Sequence, residues 1–419
     1  MPPLPGKDIS LLLLPALALS SPLSSLKSAY KITLDTLLPS LVTGDNPEND
    51  SLVRLDIAVV LSDSYPLALK CPRASAFAPY QLLLSSIYSL VVSSASRLNI
   101  DLDFPGGLDV RVFILEPRIS SLPPGIAGKQ SLAGPIVDIT TFVKSSRPYT
   151  TLYSVDGEPG EQALKQLLTA YNSINASPPS AERLPSGPAI SLSPASKSLE
   201  TLVDDRPLQN HSSVAVGGTF DHLHIGHKLL LTGTILAAEP SSQSPRLITV
   251  GITGDELLVN KKYGNVVESW DTRQQRTAEF VESILSFHRD VPSIRTVQQI
   301  DDPGPNGRVV RVTYSTNAPP TDEITINYTK ISDPYGPTIA DENISALVIS
   351  AETRAGGNAV NEKRGEKGWK ALEVFEVDVL DAGVGGEDEI EEKEVNKGFD
   401  TKISSTEIRR RVAERLPQS

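Results

Sequence analysis

Short β-branched runs and longer helical stretches take turns along the chain. Residues 9–14 are an apolar run closed by Pro15, and they read as a buried strand. Residues 54–61 and 108–115 also read as strands, the second with in–out alternation, while 79–98 and 160–172 carry helical spacing. Residues 1–175 therefore predict a mixed α/β region, with no chemical motif in view. Residues 176–211 are rich in Ser, Pro and Ala, with Pro178, Pro179, Pro185, Pro188 and Pro194. That composition disfavours helix and strand and predicts a linker. From 212 to 419 strands at 214–216, 246–253, 294–300, 346–350 and 372–379 alternate with helices at 228–238, 272–288 and 405–416. Such alternation predicts a parallel sheet with helices on both faces, whose ligands bind at the carboxyl ends of the strands. Residues 301–322, with Pro303, Gly304, Pro305, Asn306, Gly307, Pro319 and Pro320, read as an inserted loop. The acidic run 387–394 reads as a solvated one.

The densest chemistry follows the strand at 214–216. Gly217-Gly218-Thr219-Phe220-Asp221 is followed by His224-Ile225-Gly226-His227 and then by the apolar helix. Glycines let backbone amides approach an anion, and a helix start offers free N–H groups and the positive end of its dipole. Imidazoles there can donate hydrogen bonds to a phosphate. Four of the five histidines lie between 211 and 227. Their spacing is not a zinc pattern and no cysteine is near, so no protein-held metal is expected. Further along, Ile403-Ser404-Ser405-Thr406-Glu407-Ile408-Arg409 combines hydroxyls, an arginine and a Ser404–Glu407 capping box, which leaves a helix start open to an anion.

These two segments, the first at the right offset between strand and helix, resemble the signatures of the nucleotidyltransferase superfamily. Gly251–Leu258, Lys261-Lys262-Tyr263, Asp333-Pro334-Tyr335-Gly336-Pro337, Ser350–Arg354 and Val360–Arg364 narrow the resemblance to the eukaryotic type of phosphopantetheine adenylyltransferase, over residues 213 to about 416. Fungal members of that type carry an N-terminal extension. The resemblance implies an α/β fold, with a Rossmann-like parallel-sheet nucleotidyltransferase domain preceded by a second mixed α/β domain. It implies transfer of AMP from ATP to 4′-phosphopantetheine, with Mg²⁺ held mainly by substrate phosphates. By position, His224 and His227 are expected to bind the ATP phosphates, and one of Lys261 and Lys262 to bridge the reacting phosphates. Gly217, Gly218, Thr219, Phe220, Asp221, Gly226, Arg354, Ser404, Ser405, Thr406 and Arg409 fall in the ATP-binding segments. Thr219, Asp333, Tyr335, Asn361, Lys363 and Arg364 fall in those that meet the substrate. Nicotinamide mononucleotide adenylyltransferases and cytidylyltransferases share parts of the pattern, and a non-catalytic nucleotide-binding scaffold is the alternative of another class. No Gly-x-x-x-x-Gly-Lys-Ser/Thr loop is present, so a single activity is expected.

Charge and composition trim the remaining classes. A net charge of −12 argues against nucleic-acid binding by a broad basic surface. The single Cys71 precludes an intrachain disulfide and fits a reducing compartment, so a cytoplasmic protein is expected. No stretch reaches the ~18 apolar residues of a membrane span. Residues 9–18 imitate a secretory leader, yet the charges before them, Lys7 and Asp8, cancel. Nothing in the sequence names a protein partner.

Overall fold

Two sheets carry the chain in a computed structural model, which describes residues 9–15, 23–42, 52–61, 74, 77–116, 134–188, 209–239, 245–259, 261–287, 293–302, 307–316, 323–377 and 405–415. The first is built from β1 (Ile9–Pro15), α1 (Leu23–Val42), β2 (Val53–Val60), α2 (Phe77–Arg97), β3 (Leu108–Glu116), β4 (Ile136–Asp138), α3 (Ile139–Lys144), β5 (Tyr149–Val155), α4 (Glu158–Ser173) and β6 (Ser180–Leu184). Its order is β4-β3-β2-β1-β5-β6, with every pairing parallel. The apolar run at the N-terminus is thus an inner strand. A parallel strand covered on both faces needs a continuous apolar run rather than alternation. Leu12 and Leu14 face one core cluster, and Leu11 and Leu13 the other.

The second sheet comprises β7 (Ser213–Gly218), α5 (Ile225–Ala237), β8 (Arg246–Thr253), α6 (Trp270–Leu285), β9 (Ser293–Ile300), β10 (Val309–Thr316), β11 (Glu323–Ile331), β12 (Ala346–Ser350), α7 (Arg354–Glu366), β13 (Glu373–Val377) and α8 (Ser405–Arg415). Its order is β13-β12-β7-β8-β11-β10-β9. β13 through β11 run parallel, and β10 is antiparallel to both its neighbours.

Three differences from the sequence expectations stand out. The second sheet is mixed rather than wholly parallel. Residues 309–316, expected in a loop, form β10, because Val310, Val312 and Tyr314 point inward at a period of two between flanking Pro and Gly. Residues 180–184, expected in the linker, form β6. An edge strand needs backbone pairing and little burial, and only Leu184 of this one is buried. The acidic run 387–394 and Cys71 lie outside the described residues.

Chain order along the parallel part of the second sheet reverses beside β7. The chain goes from β7 outward to β8 and β11, and returns to β12 on the other side. A crevice at the carboxyl ends of β7 and β12 is the place where such sheets hold ligands. α5 is buried nearly all round because it lies between this sheet and α2 of the first unit. One core cluster runs through both units, with Phe77 against Phe375 at 4.9 Å between ring centroids. Arg147 reinforces the junction: it stacks on Phe287 at 3.9 Å and donates to the carbonyls of Ser283 and Ser286 at the end of α6. No described helix is long and apolar enough to cross a membrane.

Candidate active site

β7 ends in Gly217 and Gly218, which pair with Gly251 and Ile252 of β8. The chain then makes a tight bend in which Phe220 and His222 adopt left-handed backbone, and α5 starts with His224 as its N-cap residue. The bend is held from behind. Asp221 is fully buried; it accepts from the Glu268 amide at 2.9 Å and pairs with Arg409 Nη1 at 2.9 Å. Glu268 in turn accepts from the His222 amide at 2.9 Å. Phe220 is buried and its ring lies 5.3 Å from that of His227, so it supports the imidazole from below.

His224 and His227 stack with ring centroids 3.9 Å apart. Both are partly buried. Loss of hydration holds the His224 imidazole well below its ordinary value, and the charges of His227 and Lys228 push the same way. Loss of hydration also lowers His227, to about 4, against the opposing pull of Asp221. Both rings are therefore neutral near pH 7. Nδ1 of each is buried without a hydrogen-bond partner among the described residues, so each ring keeps bonding capacity in reserve.

The second segment arrives on α8. Ser405 Oγ lies 3.0 Å from His224 Nε2, across 181 residues of sequence. Arg409 is buried and fully engaged inside the protein: besides Asp221, it donates to the Lys262 carbonyl at 3.1 Å and to Thr406 Oγ1 at 3.1 Å. It therefore ties together the bend, the lysine loop and the first turn of α8. Lys261 and Lys262 are exposed on that loop, and Thr406 is exposed beside them. Ser404 lies outside the described residues.

Asp333 and Tyr335 belong to a turn that packs over the ends of β7, β8 and β11. Asp333 Oδ1 accepts from the Tyr335 and Gly336 amides at 2.8 and 2.9 Å, which shapes the turn, and Gly336 takes the left-handed backbone this requires. Arg354 begins α7 beyond the end of β12 and is exposed, paired with Glu376. Of the other three expected substrate residues, two bond main-chain groups and the third pairs within its own helix. Asn361 bonds both the carbonyl and the amide of Leu372, at 3.1 and 2.8 Å. Arg364 is buried and donates to the carbonyls of Thr338, Asp341, Glu342, Ile344 and Lys370. Lys363 is exposed and paired with Glu366.

Sequence reasoning missed Arg273. It is fully buried on α6 and donates to the carbonyls of Thr219 at 2.8 Å, Thr253 at 2.9 Å and Glu268 at 2.9 Å. One guanidinium thus fixes the loops that leave β7 and β8. Its only sequence signal is a place four residues after the cap Ser269, which does not distinguish it from a surface arginine.

Among the described residues no three carboxylate, histidine or cysteine side chains converge to hold a metal, and Asp221 is engaged by Arg409. What the site offers is a glycine strand end, a helix start, two neutral imidazoles, hydroxyls and exposed ammonium groups. That set suits a polyanion.

Residues 1–190 match a family described as a domain of unknown function (DUF8446). The chain is 34% identical over 196 residues to a phosphopantetheine adenylyltransferase of Saccharomyces cerevisiae, covering 47% of each chain. It is 32% identical over 204 residues to an uncharacterized protein of Schizosaccharomyces pombe, covering 49% of each. The matched part thus spans about half the length of these two relatives. A phosphopantetheine adenylyltransferase of Methanothermobacter thermautotrophicus is 27% identical over 202 residues, covering 48% of this chain and 85% of the relative.

Proposed function

We propose that the protein transfers AMP from ATP to 4′-phosphopantetheine, forming dephospho-CoA and pyrophosphate. The observation that carries this reading is the meeting of two distant segments, His224–His227 and Ser405–Arg409, at the glycine end of β7. Relatives named phosphopantetheine adenylyltransferase support the choice of acceptor.

An oxygen of the 4′-phosphate attacks the α-phosphorus of ATP in line, a new P–O bond forms, and the bond to the β-phosphate breaks as pyrophosphate leaves. A phosphate monoester is already anionic at pH 7, its second pKa being about 6, so no strong general base is required. The difficulty is bringing two polyanions together, and the remedy is position and charge. Gly217, Gly218 and the first turn of α5 present main-chain N–H groups to the phosphates. His224 Nε2 shares a hydrogen bond with the Ser405 hydroxyl, which fixes the orientation of the ring. Neutral imidazoles donate hydrogen bonds without trapping the leaving group as a tight ion pair. Lys261 and Lys262 lie on the exposed rim, where one ammonium can span the attacking phosphate and the α-phosphate. Arg409 and Asp221 act through others, as positioning residues. Bound chiefly to phosphate oxygens and water, Mg²⁺ would supply further neutralisation of charge, with Gly217, Gly218, His224 and His227 still the groups of this chain that face the phosphates.

The test is pyrophosphate release and dephospho-CoA formation by the full chain with ATP, Mg²⁺ and 4′-phosphopantetheine. Nicotinamide mononucleotide and choline phosphate serve as rival acceptors. Turnover of a rival, with none of 4′-phosphopantetheine, overturns the assignment.

A further inference from the structure

Lys228 directly follows His227, yet it faces away from the site. It is buried, and all three of its ammonium bonds go to the first unit: to Asp103, to Asp109 Oδ1 at 2.6 Å and to the Val110 carbonyl at 3.1 Å. On α8, two positions past Arg409, Arg411 pairs with Asp101 at 2.6 Å and lies over the Phe104 ring at 4.9 Å. One segment of the first unit, the loop 98–107 with the first residues of β3, therefore grips both helices that bring the site together. The loop is stiff. Leu108 donates to the Asp101 carbonyl and Asp103 to the Leu108 carbonyl, each at 2.9 Å, and Gly107 donates to the Phe104 carbonyl at 2.8 Å. A β-carbon at Gly107 would stand 2.2 Å from the Asp101 carbonyl oxygen, so the main chain there has no slack.

We propose that this loop is a positioning clamp, which gives the first unit a role in the reaction: it sets α5 and α8 at the separation that lets His224 meet Ser405 and Asp221 meet Arg409. The first unit touches no reacting atom; it acts through Lys228 and Arg411. The catalytic part of this inference rests on the adenylyl-transfer reading, whereas the geometric part does not. The pair on α8 is part-exposed on both sides, which makes charge reversal practicable.

The test uses the full chain and two readouts. One is kcat and KM with ATP, Mg²⁺ and 4′-phosphopantetheine. The other is the imidazole nitrogen NMR signal of His224 without ligand, which reports its bond to Ser405. His211, which bonds Ser345 and Glu373 away from the clamp, is the internal control for folding. Asp101→Arg is expected to lower kcat at least tenfold and shift the His224 signal while His211 stays put. Adding Arg411→Asp should restore both. Lys228→Met should lower kcat similarly through the other arm. If Asp101→Arg disturbs His211 as well, the isosteric Asp101→Asn carries the same test. An unchanged kcat and His224 signal in these variants of an active protein overturns the clamp. A wild-type protein without adenylyl transfer, whose His224 signal still follows Asp101, overturns the reading of function and leaves the clamp geometry standing.

Discussion

Gly217→Ala separates a ligand role from a structural one. A β-carbon built on Gly217 meets no heavy atom within 4 Å, and the residue is not among those with left-handed backbone. The fold should therefore accept alanine, with a gain of about 0.4–1 kcal/mol from the stiffer unfolded chain. A phosphate resting on the end of β7 should not accept it. The methyl group holds the anion off the main-chain amides, and losing one hydrogen bond to a charged group costs about 1.5–3 kcal/mol. At 1.4 kcal/mol per decade, that weakens ATP binding roughly ten- to a hundredfold. The neighbouring glycines should behave differently. A β-carbon at Gly218 lies 3.1 Å from the Phe220 ring, and one at Gly226 lies 3.1 Å from the His224 ring, so alanine at either position disturbs protein contacts as well. Calorimetric titration with ATP and Mg²⁺, beside thermal unfolding without ligand, reads both effects. An unchanged affinity in Gly217→Ala would mean that the phosphates do not approach this strand end, and the reading of the site would fail with it.

His227→Ala should lower kcat by ~10²-fold or more, the scale for loss of a donor to the transition state; a change confined to KM would make the ring a general binding group instead. In the free protein His227 should titrate near 4 rather than near its ordinary value, because burial opposes its charge. The folded value is the lower one, so the unfolded chain takes up the proton first, and stability present above ~6.5 is lost as pH falls toward about 4. Imidazole NMR across that range checks it, and a midpoint between 6 and 7 contradicts the burial argument. Arg409→Met leaves the buried Asp221 carboxylate without its cation, which costs about 3–5 kcal/mol. Hydrogen exchange across α8 should then quicken by about two decades or more, and unaltered protection would show that the pair does not hold the helix.

Elements with a strong local pattern are legible in the amino-acid order alone. β8 and β12 are short apolar runs between turn signals, and the glycine bend with its histidines announces itself within fourteen residues. Direction and pairing are not legible there, because periodicity identifies a strand without saying what lies beside it. The all-parallel order of the first sheet and the reversed β10 are decided by long-range pairing. β6 stays hidden because an edge strand shows almost no apolar pattern. Among the site residues, the histidines carry a local signature, and Lys228, Arg273 and Asp101 carry none. In sequence each looks like a solvated charge; only tertiary contacts bury or pair it. Asn361 and Arg364 teach the converse, since their place in a recognisable segment says nothing about their firm attachment to main-chain carbonyls.

Three buried cations stand behind the glycine bend, and their pairing differs in a way that bears on charge at the site. Arg409 faces Asp221 at 2.9 Å, and Lys228 faces two carboxylates. Their fields are largely cancelled at short range. Arg273 has no such close partner: Asp255 stands 3.9 Å away and is mostly exposed, Asp221 and Glu268 act on it only from beyond ion-pair contact, and its Nη2 makes no hydrogen bond among the described residues. Its other donors point at the carbonyls of Thr219 and Thr253, at the very ends of β7 and β8. In a partly desolvated crevice a charge that is cancelled only from a distance is felt further than in water. Arg273 thus does two things with one planar group: its fork fixes the two loops, and its residual positive charge lies beneath the place where an anion would sit. A lysine there would keep the charge and lose the fork, so the two contributions are separable in principle by that single exchange.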